Sequence, residues 1–280
     1  MLLKSLEYFV ALSQEQHFGR AAIACGISQP TLSTAIKRLE KELKVPLVRR
    51  GQRFLGFTPE GIRVLEWSER ILADQDAMLQ EISKLRNGLE GRLRLGVVPT
   101  ALSVLPYLTA PFGESNPSVT VSIRSMSSQA IQKAIDNFEI DMGITYLHNE
   151  PLKRVKITNL YKESYSLMVP NSSELANQDN VSWKEAASLP LCLLSTDMQN
   201  RRIIDAAFAD AGVEAHPAIE TNSISNLAPQ VATGQWSAVV PRHIEFSYNL
   251  PSSVCLVQLI DPDITHEVGV IISEREPQPP

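Results

Sequence analysis

Ser28-Gln29-Pro30-Thr31-Leu32-Ser33-Thr34-Ala35-Ile36-Lys37-Arg38-Leu39-Glu40 (SQPTLSTAIKRLE) is the stretch on which the fold turns. Ser28 can cap a helix, and Pro30 falls in its first turn, where a missing N–H is harmless. Leu32, Ile36, Leu39 and Leu43 recur at helical spacing and predict a buried stripe. The opposite face carries Gln29, Pro30, Ser33, Thr34, Lys37 and Arg38. Its first two turns hold no carboxylate, although helix N-termini ordinarily attract Asp and Glu. Such a face suits a polyanion. Gln can pair bidentately with adenine, Ser and Thr can bond base edges or phosphate, and Lys37 and Arg38 can reach guanine or the backbone. The bland reading is the solvated outer side of a core helix.

The flanking sequence narrows that choice. Residues 2–13 place Leu3, Leu6, Phe9 and Val10 on one face of a first helix. Phe18 to Cys25 predicts a short second helix, closed by Gly26 in the left-handed cap conformation, and its alanines allow another helix to approach closely. A short helix, a glycine turn and a second helix with a polar N-terminal face form a helix-turn-helix pattern. Charge points the same way. Residues 1–88 hold 13 Lys and Arg against 10 Asp and Glu, whereas residues 89–280 hold 13 against 21. Within residues 20–63 nine basic residues, among them Arg20, Arg49, Arg50 and Arg53, face three acidic ones. A basic island in an acidic chain is the footprint of a nucleic-acid contact.

Thr58 and Pro59 predict the start of a long helix running to about Arg86. Leu65, Leu72 and Leu79 recur every seven residues, with Ile82 near the same stripe. That spacing suits dimerisation through a helix pair, or packing of the helix on its own domain. A dimer would present two reading helices to half-sites about one DNA turn apart. Asn87-Gly88-Leu89-Glu90-Gly91 then marks a domain boundary. Beyond it, strands are predicted at Arg92–Val98, Val119–Arg124, Ile140–Tyr146, Tyr165–Val169, Leu191–Leu194, Ala218–Thr221, Ala238–Val240 and Val268–Ser273. Helices are predicted around Leu102–Ser115, Ser128–Asn137, Asn200–Ala211 and Ile224–Thr233. This alternation predicts two α/β lobes with a cleft between them.

Other function classes find less support. There is no GxSxG, HExxH or glycine-rich phosphate loop, and the five histidines are scattered, so neither an enzyme nor a metal site is expected. Cys25, Cys192 and Cys255 lie far apart and read as small buried hydrophobes. Without an apolar run of membrane-spanning length or a signal-like N-terminus, a cytoplasmic protein with no membrane partner is expected. A solute-binding protein without regulatory DNA binding would explain residues 92–273 but would not need the basic helix-turn-helix.

The run Leu6-x-x-Phe9, Phe18-x-x-Ala21-Ala22, Ser28-Gln29-Pro30-Thr31-Leu32-Ser33, Ile36-x-x-Leu39-Glu40-x-x-Leu43-x-x-Pro46-Leu47 and Thr58-Pro59-x-Gly61 resembles the DNA-binding end of the LysR-type transcriptional regulators. Leu95-Gly96, Asp141-x-Gly143-Ile144, Val169-Pro170 and Val240-Pro241-Arg242 continue the resemblance into that family's effector domain, which is similar to periplasmic binding proteins. The resemblance implies an α/β protein with an N-terminal winged helix-turn-helix (residues 1–58), a linker and dimerisation helix (59–87) and a two-lobed effector-binding domain (88–280). Lobe I would comprise about 92–161 and 266–280, and lobe II about 162–265. DNA contacts are implied for Arg20, Ser28, Gln29, Pro30, Thr31, Ser33, Thr34, Lys37 and Arg38, with a wing over Val48–Phe54 in which Gly51 permits the turn and Arg49, Arg50 and Arg53 meet phosphates. At Val48 the family more often has an aromatic residue.

Mapped onto this sequence, the family's interlobe site falls at Pro99, Thr100, Ala101, Ser103, Ser125, Met126, Ser127, Ser128, Thr145, Asp197, Met198, Asn200, Asn222 and Ser223. Hydroxyls and helix N-termini there suit a small anion, a carboxylate or inorganic acid, and the same hydroxyls of Thr100, Ser128 and Ser223 can serve as helix caps. The expected partners are operator DNA, a small anionic metabolite, RNA polymerase, and further copies of the chain in a homodimer or homotetramer. No cofactor beyond the effector is expected. After Ser273 the chain runs into EREPQPP, where the family usually continues into an amphipathic helix, so lobe I is expected to be less covered.

Overall fold

The structure, a computed structural model, describes residues 2–49, 54–148, 150–247 and 250–275. The chain divides into two compact units, one built from residues up to Glu90 and the other from Gly91–Arg275.

In the first unit, α1 (Leu2–Glu15), α2 (Phe18–Ala24) and α3 (Gln29–Leu43) precede the long α4 (Pro59–Asn87). Leu6, Phe9, Leu12, Ala21, Ala22, Leu32, Ile36, Leu39, Leu47 and Val48 form the core. Two expectations change. Leu3 is exposed and Val10 only half-buried, with Leu12 taking the inner position on α1. Leu43 is 42% exposed, while Glu40 is buried. The chain reverses at Lys44 (φ 58°), which caps α3 in the left-handed conformation and carries the last turn past the core. Glu40 turns inward because Leu47 and Val48 need an acceptor: their N–H groups donate to its Oε1 at 2.9 and 3.3 Å.

The wing base is the Val48–Phe57 bridge, with the Arg49 N–H donating to the Gly56 carbonyl at 2.9 Å. Val48, where the family more often has an aromatic residue, is buried, and the aromatic packing comes from Phe54 and Phe57 instead. Phe57 meets Phe9 edge-on at 5.1 Å and Phe54 meets Phe18 at 6.2 Å. Arg50, Gly51, Gln52 and Arg53, read as the wing tip, lie outside the described residues.

The second unit holds β1 (Gly91–Val97), α5 (Pro106–Ser115), β2 (Val119–Ser125), α6 (Ser128–Asp136), β3 (Met142–Tyr146), β4 (Val155–Glu163), β5 (Tyr165–Pro170), β6 (Asn180–Ser182), α7 (Trp183–Ala187), β7 (Cys192–Leu194), α8 (Gln199–Asp210), β8 (Ile219–Thr221), α9 (Leu227–Ala232), β9 (Ala238–Pro241), α10 (Ile244–Ser247), β10 (Val254–Ile260) and β11 (His266–Ser273). One sheet has the order β2-β1-β3-β11-β4 and a second β6-β10-β5-β9, with β7 and β8 joined to β9 by the Leu191–Ser237 bridge. These are the two lobes. The chain crosses between them after Glu163 and returns between Ile260 and His266.

The helix expected at Leu102–Ser115 is divided into a 3-10 turn (Pro99–Ser103) and α5, which begins at Pro106, a residue that cannot donate to a preceding turn. β4 was not expected from the sequence. It is the sheet edge, and its Lys156–Asn159 stretch is exposed, so it lacks the apolar alternation that announces a strand. Asp141 holds the N-terminal side of the first sheet by accepting from Arg94 Nε and backbone N–H at 3.1 and 2.8 Å.

Candidate functional site

The face expected to read DNA lies on α3. Ser28 is its N-cap, its Oγ accepting from the Thr31 N–H at 3.3 Å and lying 2.8 Å from Thr31 Oγ1. Gln29, Pro30, Thr31, Thr34, Lys37 and Arg38 are exposed and Ser33 is half-buried. No acidic residue occupies the first turn. Arg38 bonds Glu42 at 3.0 Å and Arg20 bonds Glu15 at 3.1 Å, both on exposed surface. Exposed pairs of this kind are worth little, so either guanidinium can exchange its carboxylate for a phosphate. His17 caps α2, accepting at Nδ1 from the Gly19 and Arg20 N–H groups, a role the sequence did not announce.

In the second unit, helix starts from both lobes meet at a cleft. Val98, Pro99, Thr100, Ser127, Ser128, Tyr146, Leu194, Met198, Gln199 and Asn200 line a cavity of about 10 Å³, room for roughly one water. α8 starts here with Met198 at its N-cap, which supplies no side-chain acceptor, and the 3-10 turn starting at Pro99 is equally uncapped. Their first-turn N–H groups therefore lack side-chain partners. The cap of α6 is Ser127, accepting from the Ala130 N–H, which leaves the Ser128 hydroxyl free for another role.

Polar contacts tie the lobes together around the cleft. Asn200 Nδ2 donates to the Tyr146 hydroxyl at 2.9 Å, and Gln199 Nε2 donates to the His148 carbonyl at 3.1 Å. His243 Nε2 lies 3.1 Å from the Thr100 carbonyl. At the rim, Arg202 Nε donates to Glu150 Oε1 at 2.7 Å, and Glu150 Oε2 accepts from the Ser128 hydroxyl at 3.0 Å.

Beneath the cleft lies a buried acid. Glu163, 1% exposed, accepts the Tyr146 hydroxyl at 2.6 Å, and the rings of Tyr161 and Tyr165 also face it. Burial pushes its carboxyl up to about 7, against the hydrogen bond from Tyr146, which pulls it down. Burial also holds His243 below its ordinary value and Tyr146 well above its own. The three cysteines are free, none lines the cavity, and burial raises each thiol. Among the described residues no group of His, Cys, Asp and Glu is placed to hold a metal ion, and no helix is long and apolar enough to cross a membrane.

Residues 3–62 match the family model described as "Bacterial regulatory helix-turn-helix protein, lysR family", and residues 86–280 match "LysR substrate binding domain". The chain belongs to the LysR family of DNA-binding transcriptional regulators. It is 24% identical over 278 residues to a "Hydrogen peroxide-inducible genes activator" of Dickeya chrysanthemi, covering 99% of this regulator and 91% of that protein. It is 33% identical over 181 residues to the Escherichia coli regulator XapR, covering 64% and 61% of the two chains. Full-length OxyR from Pseudomonas aeruginosa shares the fold with a TM-score of 0.80 at 24% identity, covering 100% of this chain and 91% of that one.

Of the regulator's sequence-predicted effector residues, the cavity brings together Pro99, Thr100, Ser127, Ser128, Met198 and Asn200. The others lie elsewhere. Ala101 is packed in the core, and the Ser103 hydroxyl donates to the Thr100 carbonyl. Ser125 is exposed at the end of β2, and Met126 packs on the core. Thr145 is buried away from the cavity. Asp197 accepts the Ser195 hydroxyl on the surface, Asn222 is exposed, and the Ser223 hydroxyl lies 2.8 Å from that of Ser225. Tyr146 lines the site without having been foreseen, while Gln199 belongs to the loop, residues 195–200, expected there. Tyr146 ends a strand that reads as pure core, and Gln199 precedes the predicted helix start.

On α4, Leu65 and Leu72 pack against the reader's own core, whereas Leu79 and Ile82 are 52% and 43% exposed. The heptad stripe therefore divides into an inward half and an open half.

Proposed function

We propose that this regulator reads operator DNA through the exposed face of α3 and through the wing, and answers a small anionic effector held in the interlobe cleft. The observation that carries the first part is a capped helix whose outward N-terminal turns bear Gln29, Pro30, Thr31 and Thr34 and no carboxylate. A Glu or Asp there would repel the phosphates that flank a groove. CbnR, 22% identical with a TM-score of 0.71, is described in complex with its target DNA, which supports the same use of the fold.

Gln29→Ala is expected to lower discrimination between operator and random DNA by about 1 to 3 kcal/mol, because a bidentate contact reads a base edge. Arg49→Ala is expected to weaken both DNAs alike and to flatten the salt dependence, because a phosphate contact carries no sequence information. Competition gel shifts with both variants check this. An equal loss on both DNAs for Gln29→Ala moves that residue into the backbone class.

The anionic effector is supported by the uncapped start of α8, with the Ser128 hydroxyl and Arg202 at the rim, held by a Glu150 carboxylate that the effector's own carboxylate would replace. Its binding would alter the tie between the lobes and so the relative placement of reading heads in a dimer or tetramer. The exposed Leu79 and Ile82 are the proposed dimer contacts. Leu79→Asp combined with Ile82→Asp is expected to move the protein toward monomer at micromolar concentration, read by sedimentation velocity. The regulator is placed in the cytoplasm with the DNA it reads.

A further inference from the structure

The polar side chains that line the cleft have their orientations dictated by what lies behind them. Glu163 is a carboxylate and, when ionised, only accepts hydrogen bonds. It takes the single hydroxyl proton of Tyr146 at 2.6 Å. The Tyr146 oxygen must then accept from its two other neighbours, the Asn200 amide nitrogen at 2.9 Å and the Thr100 hydroxyl at 2.9 Å. With its nitrogen committed to Tyr146, Asn200 is left with Oδ1, which is buried and meets no donor. Gln199 repeats the pattern independently. Its amide nitrogen donates to the His148 carbonyl, which can only accept, and its Oε1 is buried without a donor. The two side chains are 4% and 3% exposed, and both line the cavity.

A buried acceptor left unmet costs about 1 to 3 kcal/mol, so two on neighbouring side chains that line one small cavity call for a donor. The start of α8 offers N–H donors to an anion, and the Ser128 hydroxyl and Arg202 join them only by exchanging Glu150 for the ligand's carboxylate, while Asn200 and Gln199 offer acceptors. We propose that the effector is two-ended: a small carboxylate that also carries an O–H or N–H donor, which meets Asn200 Oδ1 with Gln199 Oε1 as second acceptor. This rests on the effector reading above. It narrows the ligand from any small anion to a hydroxy- or aminocarboxylate, and it makes Asn200 the residue that discriminates these from plain carboxylates and inorganic anions. The competing occupant is one ordered water, which the cavity can hold.

The test is calorimetric titration of the full chain at pH 8 with acetate, glycolate and glycine, three small carboxylates that differ in the donor and whose entry must widen a cavity with room for about one water. Glycolate or glycine is expected to bind about tenfold more tightly than acetate, the difference one hydrogen bond to a buried acceptor makes. In Asn200→Leu that preference is expected to fall to within about twofold. Gln199→Met, which does not bond to Tyr146, provides the same comparison through the second acceptor if Asn200→Leu does not fold. A preference that survives both substitutions overturns the proposal. Equal binding of the three probes, weakened in common by Ser128→Ala, overturns the donor end and leaves the anion reading standing. No saturable binding of any probe overturns both.

Discussion

Gly61→Ala is expected to destabilise the DNA-reading unit by about 3 kcal/mol or more, at the upper end of what a single overpacked position costs. A Cβ at Gly61 would lie 2.0 Å from the Leu47 carbonyl oxygen and 2.9 Å from its carbon. That carbonyl cannot simply move aside. It accepts the Thr58 N–H at 3.0 Å, while Thr58 caps α4 by accepting from the Gly61 N–H at 2.9 Å and donates its hydroxyl to the Pro46 carbonyl at 2.6 Å. The Leu47 N–H is in turn held by Glu40. The start of α4, the approach to the wing and the end of α3 are therefore fastened at one point, and the methyl group strikes that point. Denaturant unfolding should show an early transition for the reader and an unshifted one for the second unit, with loss of DNA binding. An unshifted reader transition would mean that the approach of α4 to Leu47 is looser than described.

Glu163→Gln is expected to stabilise the second unit at pH 8 by about 3 kcal/mol, and by progressively less as the pH falls. The folded-state pKa of Glu163, about 7, lies above its ordinary value of 4.5. The native state therefore binds more protons than the unfolded one between those values, and stability falls as pH rises through that window. Gln keeps an acceptor for the Tyr146 hydroxyl at the same place but never ionises, so the variant lacks this loss. Urea midpoints measured from pH 4 to pH 8 should converge at the acid end and diverge at the alkaline end. Parallel curves would show that Glu163 is not desolvated in solution as it is in the structure.

The DNA-reading unit was largely legible in the sequence because its signals are local. Ser28, Pro30, Gly26, Thr58 and Pro59 each declare a helix end within one turn, and Leu32, Ile36 and Leu39 declare the inner face. Leu43 misled because helical periodicity does not say where the core stops. Glu40 escaped notice because its partners, the Leu47 and Val48 N–H groups, appear only once the chain has turned back.

The cleft was less legible for a related reason. In the strand Met142–Tyr146 successive side chains face opposite ways, so a hydroxyl sought at Thr145 is one residue out of phase with Tyr146, which lines the cavity. The role of Tyr146 depends on Glu163, on an edge strand that β11 separates from β3. Asn200 was reached through family resemblance, but the direction of its amide follows only from Tyr146. Resemblance located the loops; the hydrogen-bond partners determine what those loops can bind.

The most direct measurement is the affinity of the full chain for the DNA beside its own gene and for a scrambled duplex of equal length, titrated across salt from low to physiological concentration. If α3 reads bases and the basic face meets phosphates, both affinities fall with salt, while the native sequence stays at least about a thousandfold tighter at physiological salt. Equal affinity for the two duplexes throughout, or no binding to either at low salt, would contradict the account.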